Sequence, residues 1–173
     1  MPRYVKQRDK HSCGPVAILN ALKWSGQDMS HRKHIQMLKL MTGQKPRGGT
    51  SNTNLYRTLR VLGGKLLGSL KIKPRIRPTL QEMEAHLRNG GVVLLQYHWI
   101  DKNGSRFPQK WSFHGHFVLV TGVSPSGYWF EVVNGYTYTP AARTISRDKF
   151  KRDMLGFQRG HPGVKGWFLT RTA

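Results

Sequence analysis

Acidic residues are scarce in this sequence of 173 residues, which has 8 Asp and Glu against 29 Lys and Arg. The resulting formal net charge of +21 creates a long-range field that attracts polyanions such as nucleic acid, an anionic membrane surface or an acidic protein. Ordinary solvated surfaces mix both signs of charge, so we favour a polyanionic neighbour, such as the nucleic acid of a ribonucleoprotein or a virion. The imbalance is greatest in residues 1–81, which hold 17 basic residues but only two acidic ones, Asp9 and Asp28.

Cysteine is rarer still, since Cys13 is the only one. A single thiol excludes an internal disulfide and any zinc site that needs several thiolates. No stretch approaches the roughly 20 apolar residues of a membrane span, and the N-terminus lacks the apolar core of a signal peptide. We therefore expect a protein of the cytoplasm or of a viral particle. Helix-turn-helix, RNP and zinc-finger patterns are also missing, so specific readout of a base sequence is not indicated.

Four helices are predicted in the first half of the chain. The first runs from Cys13 to about Trp24, and Pro15 lies in its first turn, where the missing N–H leaves no hydrogen bond unmade. The last opens with the capping box Thr79-Leu-Gln-Glu82, whose end residues satisfy each other's backbone N–H groups. Periodic apolar residues place the other two helices at about 31–42 and 52–62, and a short strand is predicted at 66–69.

A basic segment separates the third and fourth helices. Residues 71–78 alternate basic and apolar side chains and include two prolines, which predicts an extended and exposed conformation. We expect it to be the main contact with a polyanion, through Lys71, Lys73, Arg75 and Arg77.

Strand patterns dominate the second half of the chain. Val92–Ile100 is a continuous apolar run, which predicts a central strand. His116–Val123 and Tyr128–Asn134 are two further strands, and Ser124-Pro-Ser-Gly127 joins them as a hairpin turn. A short basic helix at 146–154 and a last strand at 163–171 follow. Helices followed by an antiparallel sheet indicate a single α+β domain over residues 1–173, helical to about residue 90 and a sheet from about residue 91.

The position of Cys13 at a helix start suggests a nucleophile. Unpaired N–H groups and the helix dipole favour a negative charge there, so the thiol pKa is expected to fall and the reactive thiolate to be populated. The competing interpretation is a small, buried core cysteine, which is the commoner role of a lone Cys.

Three other residues have positions that suit a nucleophilic site. The numbers of His116 and Asn134 average to the middle of the predicted turn, so a regular hairpin puts them opposite each other within about one residue. His116 is the candidate base, and the Asn134 side-chain oxygen can accept its N–H and hold one tautomer. The amide of Gln7, with the Cys13 backbone N–H, can form an oxyanion hole. His114 shares a strand face with His116, but no further ligands occur at a typical spacing, so no metal or cofactor is predicted.

Several motifs resemble those of papain-like cysteine peptidases. They are Gln-x5-Cys-Gly-Pro at a helix start, Gly-His-Phe-Val-Leu-Val at a strand start and Val-Val-Asn-Gly after the hairpin. The sequence is most similar to the C39-like group, which includes the bacteriocin-leader peptidase domains of ABC exporters, and the similarity extends over almost the whole chain. Carried over by position, the oxyanion-hole glutamine, nucleophile, base and orienting residue are Gln7, Cys13, His116 and Asn134. C39 members usually have Asp at the position of the orienting residue. Asn134 can orient the imidazole there, but it cannot stabilise the charge of the imidazolium as Asp does.

The resemblance implies a papain-like α+β fold and hydrolysis of a peptide or isopeptide bond through a thioacyl-enzyme at Cys13. Amidase, deamidase and acyl-transfer reactions use the same residues and stay open at this point. A second hypothesis is a basic structural or nucleic-acid-associated protein that keeps the fold with a retired active site. The expected partners are a peptide or protein substrate, acidic because the flank of Cys13 is basic, and non-specific nucleic acid or another polyanion within a larger assembly.

Overall fold

The computed structural model describes residues 4–9, 11–45, 49–97, 116–133, 143–152 and 165–172. The helices are α1 (Cys13–Trp24), α2 (His31–Met41), α3 (Asn52–Leu59), which continues as a π-helical segment at Arg60–Leu66, and α4 (Leu80–Arg88). The strands are β1 (Leu70–Ile76), β2 (Val92–Tyr97), β3 (His116–Val123), β4 (Trp129–Val133), β5 (Arg143–Ser146) and β6 (Lys165–Arg171). A short helical segment at 147–152 follows β5.

The six strands form one antiparallel sheet in the order β1-β6-β2-β3-β4-β5, with helices on both faces. Alternate residues of each strand face opposite sides. Phe117 and Leu119 of β3 pack in the cluster that contains α1 and α3, whereas Val118 and Val120 pack in the cluster that contains α4. The predicted α+β architecture is confirmed, and the N-terminus of α1 is held on one face of the sheet.

Side-chain caps explain where three of the helices begin. The side chain of Ser30 accepts a hydrogen bond from the backbone N–H of Lys33 at the start of α2, and Ser51 does the same for Asn54 at the start of α3. Thr79 and Glu82 form the predicted capping box of α4. The α1 bounds also agree with the prediction.

Strand β1 differs from the sequence-based prediction. The short strand predicted at 66–69 is wrong, because residues up to Leu66 continue the helix and Leu70 is the first residue of β1. The basic segment is extended, as predicted, and pairs with β6 at the edge of the sheet. The sheet therefore takes one strand from the first half of the chain, before the predicted division near residue 90. Strand β5 was not predicted.

The register predicted for the β3–β4 hairpin is also wrong. A turn centred on residue 125 would place Leu119 opposite Glu131, but Leu119 lies opposite Val133. The turn of the hairpin lies further along the chain than predicted, since the N–H of Ser124 donates to the carbonyl of Trp129 at 2.9 Å. An irregularity between Val120 and Gly122 then shifts the pairing by one residue. Asn134 itself lies outside the described residues.

Candidate active site

Cys13 is the first residue of α1, and its thiol lies against the start of β3. The backbone N–H groups of Phe117, Gly14 and Cys13 itself lie near the sulfur and favour its thiolate form. The residue is partly exposed. Two of these N–H groups, those of Cys13 and Gly14, belong to the start of α1, and their effect on the thiol pKa has the direction that the helix start predicts.

Burial nevertheless raises the pKa of the Cys13 thiol above its ordinary value. The negative charge of Asp9 adds to this rise, and the three N–H donors oppose it without reversing it. The prediction of a lowered pKa is therefore wrong, because removal from water disfavours the thiolate more than the N–H groups stabilise it. A thiol in this state needs a base to remove its proton before it attacks.

His116 lies beside the residue that touches the sulfur. It is the first residue of β3, directly before Phe117, and it pairs with Tyr97 of β2. Its side chain is buried, with 5% relative exposure. The structure thus brings the neighbourhood of His116 to Cys13, while Asn134 and His114 lie in parts of the chain that it does not describe.

The side-chain amide of Gln7 is held by a hydrogen bond to the backbone of Asp9, two residues later. Its Nε2 donates to the carbonyl oxygen of Asp9 at 2.6 Å, which uses one of the two hydrogens of the amide. The Gln7 side chain is buried, and its Oε1 has no partner among the described residues. An oxyanion hole requires an amide N–H of this kind, and the bond to Asp9 uses only one of the two in Gln7.

Asp9 ties this segment to the first two helices. Its Oδ1 accepts the backbone N–H groups of His11 at 2.9 Å and Ser12 at 2.8 Å, and its Oδ2 accepts from Lys39 of α2 at 2.7 Å. These hydrogen bonds outweigh partial burial and hold the pKa of the Asp9 carboxyl at about 2. Asp9 is therefore ionised at neutral pH beside the start of α1.

Two contacts that the sequence did not indicate lie at the start of α1 and between α3 and β2. Thr50 packs so closely on Gly14 that an added Cβ would lie 2.8 Å from Thr50 Cβ. The side-chain Nδ2 of Asn52 donates to Oε1 of Gln96 at 2.8 Å and so joins α3 to β2. Both contacts connect residues far apart in the chain, and the sequence carries no signal for either.

The candidate polyanion residues lie along the exposed edge of the sheet. Lys71, Lys73 and Arg75 occupy alternate positions of β1 and share one face of it, with both lysines exposed. Arg75 Nε lies 3.9 Å from Oε1 of Glu82. Arg77 follows the strand with a φ of 50° and is exposed.

Solved structures similar to this chain include peptidase domains. The peptidase domain of Streptococcus ComA, a bifunctional ABC transporter of a quorum-sensing pathway, matches with a TM-score of 0.61 and 14% identity over 99% of this chain and 100% of that one. A double glycine motif protease from an AMS/PCAT transporter, in complex with the leader peptide, matches with a TM-score of 0.63 and 14% identity over 99% and 93%. This chain has the papain-like fold of C39 peptidase domains.

The C39 fold is also that of a putative C39-like peptidase from Bacillus anthracis, which matches with a TM-score of 0.63 and 11% identity over 98% of this chain and 95% of that one. No protein-family model matches the sequence, and no curated protein matches it significantly. In the part of the chain that the structure describes, no helix is long and apolar enough to cross a membrane.

Proposed function

We propose that this protein is a cysteine peptidase that hydrolyses a peptide or isopeptide bond through a thioacyl-enzyme at Cys13. The observation that supports the proposal best is the packing of Cys13 against the start of β3, where the backbone N–H of Phe117 lies near the sulfur and His116 is the preceding residue. The C39 fold supports a peptidase, and the complex of one such protease with a leader peptide supports a peptide substrate.

The proposed reaction has two stages. In the first, His116 removes the thiol proton while the sulfur attacks the substrate carbonyl, and Gln7 and the Cys13 N–H stabilise the oxyanion. His116 then gives the proton to the leaving amine, which departs and leaves a thioester on Cys13. In the second stage, His116 activates a water that hydrolyses the thioester and restores the thiol. Asn134 is proposed to orient the imidazole throughout.

The raised pKa of Cys13 bears on the resting state of this enzyme. At neutral pH the thiol is mainly protonated, so we expect His116 to act as a general base rather than as the cationic partner of a preformed thiolate. Transfer of the proton would then accompany binding of the substrate, when water leaves the cleft.

The first test is the rate at which electrophiles alkylate Cys13 near neutral pH. Iodoacetamide should label Cys13 faster than a free thiol of the same pKa, and His116→Ala should slow the labelling. His34→Ala is the matched control, since His34 lies on α2 and bonds only to the backbone of Ser30 among the described residues. Labelling at the rate of a free thiol, with no loss in His116→Ala, would contradict the enzyme proposal.

The nature of the acyl acceptor separates peptidase from acyl transferase. A peptidase yields two peptides with a free carboxylate and a free amine, whereas an acyl transferase in the presence of excess glycine amide yields an amide adduct. An amidase releases ammonia from a side-chain amide. Mass spectrometry of the products distinguishes the three outcomes, and we expect hydrolysis of the chain.

A second proposal is that the protein works beside a polyanion, such as the nucleic acid of a virion or nucleoprotein. Lys71, Lys73 and Arg75 lie on one face of β1 and support it. Among these three, only Arg75 has an ion pair within the described part of the chain, so both lysines can contact a polyanion. Lysine and proline at a sheet edge also prevent pairing with other chains, which is the structural explanation of the same residues. If Cys13 proves inactive, this basic surface would be the main function of a retired C39 fold.

Salt dependence tests the polyanion proposal. Affinity for a single-stranded or double-stranded oligonucleotide should fall steeply between 50 and 200 mM salt, roughly tenfold or more for a few phosphate contacts. Lys71→Gln with Lys73→Gln should reduce both the affinity and the slope. Arg32→Gln with Lys33→Gln, which removes the same charge from α2, is the matched control. Affinity that does not vary with salt, or an equal loss in both double variants, would contradict a site on β1.

A further inference from the structure

The segment that carries Gln7 is attached to α1 on both sides of that residue. Two residues before Gln7, the backbone of Val5 makes two hydrogen bonds with the buried side chain of Asn20. Two residues after Gln7, the carboxylate of Asp9 binds the backbone that leads into α1. Gln7 thus lies in a short span between two anchors, both connected to the helix that begins with Cys13.

We propose that Asp9 is a positioning residue that holds the Gln7 amide in place for the oxyanion, with Asn20 as the second anchor. The inference rests on the proposed function, because it assumes that Gln7 donates to an oxyanion formed at Cys13. It goes beyond that function in assigning a role to a carboxylate that does not itself touch the substrate.

The Asn20 anchor fixes the path of the chain. Its Oδ1 accepts the N–H of Val5 at 2.7 Å, and its Nδ2 donates to the Val5 carbonyl at 3.1 Å. Asn20 is 2% exposed and lies seven residues after Cys13, which is about two helical turns along the same side of α1. The two hydrogen bonds therefore tie the incoming segment to the same face of the helix as the nucleophile.

The Asp9 anchor fixes the amide itself. Its carbonyl oxygen accepts from Gln7 Nε2 at 2.6 Å, while its carboxylate binds the N–H groups of His11 and Ser12 and the ammonium of Lys39. One residue thus connects the Gln7 amide to the N-terminus of α1 and to α2. Because the carboxylate accepts two backbone N–H groups just beyond it, the carbonyl that orients Gln7 has little freedom to move.

Positioning matters here because an oxyanion hole acts only at a defined distance. A donor that is displaced by about 1 Å can lose a factor of about 100 in rate. Gln7 has one amide hydrogen committed to Asp9, and this leaves the second with a fixed direction. Loss of the Asp9 carboxylate would leave the Gln7 amide present but free to point elsewhere.

Two electrophiles of different chemistry can test this inference on the intact chain. The Cys13 sulfur first adds to the carbonyl carbon of a chloromethyl ketone and creates an oxyanion. The sulfur then bonds to the methylene carbon as chloride leaves, while its bond to the carbonyl carbon breaks and the oxyanion returns to a ketone. Iodoacetamide loses iodide in direct displacement and creates no oxyanion. The ratio of the two second-order rate constants therefore reports on the oxyanion hole, and an acetylated diglycyl chloromethyl ketone limits the contacts to the peptide backbone.

We expect Gln7→Ala to reduce this ratio about 100-fold and Asp9→Ala to reduce it about tenfold, since the second variant leaves the donor in place. Asp9→Asn keeps a side-chain oxygen for the N–H groups of His11 and Ser12 and should restore most of the ratio. Lys39→Met, which removes only the ion pair, is the matched control and should leave the ratio within about twofold.

The decisive result is the double variant of Gln7→Ala with Asp9→Ala. If Asp9 acts through Gln7, the ratio falls no further than in Gln7→Ala alone. A further tenfold fall would overturn the inference, and so would an Asp9→Asn ratio as low as that of Asp9→Ala. An unchanged ratio in Gln7→Ala would reject the oxyanion role of Gln7 and the inference with it, while a loss of labelling in His116→Ala would still support the proposed nucleophile. If Asp9→Ala does not fold, Asp9→Glu takes its place, since it keeps the charge but lengthens the side chain that binds the N–H groups of His11 and Ser12. Its ratio should fall below that of the parent, and an unchanged ratio would overturn the inference.

Discussion

Gly14, the residue after the proposed nucleophile, offers a test of how the start of α1 is packed. An ideal Cβ on residue 14 would lie 2.8 Å from both Cβ and Oγ1 of Thr50 and 3.2 Å from its Cγ2. Thr50 is buried, with 8% relative exposure, so its side chain has little room to move away. Gly14→Ala should therefore push α1 and the loop before α3 apart, next to the Cys13 sulfur.

Two effects of opposite sign decide the size of the change. Alanine is favoured over glycine by up to about 1 kcal/mol in a helix, whereas overpacking of a buried site typically costs about 1–3 kcal/mol. We expect the overpacking to dominate, with a net loss of about 1 kcal/mol in the free energy of unfolding. For a chain of this size, such a loss lowers Tm by about 2–4 °C.

Urea denaturation of four variants measures this balance. Gly14→Ala should be less stable than the parent. Adding Thr50→Gly in a double variant should remove this penalty, because glycine has no Cβ at position 50. Thr50→Ala would not serve, since alanine keeps the Cβ that lies 2.8 Å from the added atom. Gly49→Ala is the matched control, since an added Cβ there meets nothing within 4 Å. If Gly14→Ala is as stable as the parent or more so, helix propensity outweighs packing and the close approach of Thr50 is refuted.

Three further predictions concern titration and capping. The pH profile of iodoacetamide labelling in His116→Ala should have its midpoint above the ordinary thiol pKa of about 8.5. Asp9→Asn should lower this midpoint, because the Asp9 charge contributes to the raised pKa of Cys13. A midpoint below the ordinary value would contradict the effect of burial. Asp9 has a folded-state pKa of about 2, below the unfolded value of about 3.9, so its contribution to stability is present above about pH 4 and is lost as pH falls towards 2. The difference in unfolding free energy between the parent and Asp9→Asn, measured by urea denaturation from pH 6 to pH 2, should shrink over that window, and a constant difference would oppose the assignment. Thr79→Ala should lower the free energy of unfolding by about 1 kcal/mol, because it removes the capping box of α4, and thermal denaturation would reveal an unchanged Tm if the cap contributes nothing.

The sequence was most informative where the determinants are local. Ser30 and the pair Thr79 and Glu82 cap helices with residues three positions away, so their signals lie within one turn of the chain. The start of α1 at Cys13 was predicted for the same reason. The resemblance of short motifs then indicated the papain-like arrangement that the fold comparison confirms.

Contacts between distant residues were beyond the reach of such patterns. The hairpin register depends on an irregularity inside β3 and on where the turn closes, and neither follows from counting residues about the turn. The pKa of Cys13 depends on burial by the sheet, which local helix geometry does not contain. The Asn20 anchor joins residues 15 positions apart, and the ion pair of Asp9 with Lys39 joins residues 30 positions apart, so no sequence period indicates either.

The central claim is that Cys13 cleaves peptide bonds with the help of His116. A peptide library derived from a whole proteome, digested with the parent, Cys13→Ala and His116→Ala proteins and analysed by mass spectrometry of new N-termini, tests it most directly. We expect new termini with a shared sequence around the cleavage site in the parent digest, and none in either variant. New termini that persist in Cys13→Ala, or a parent digest identical to the untreated library, would contradict the claim.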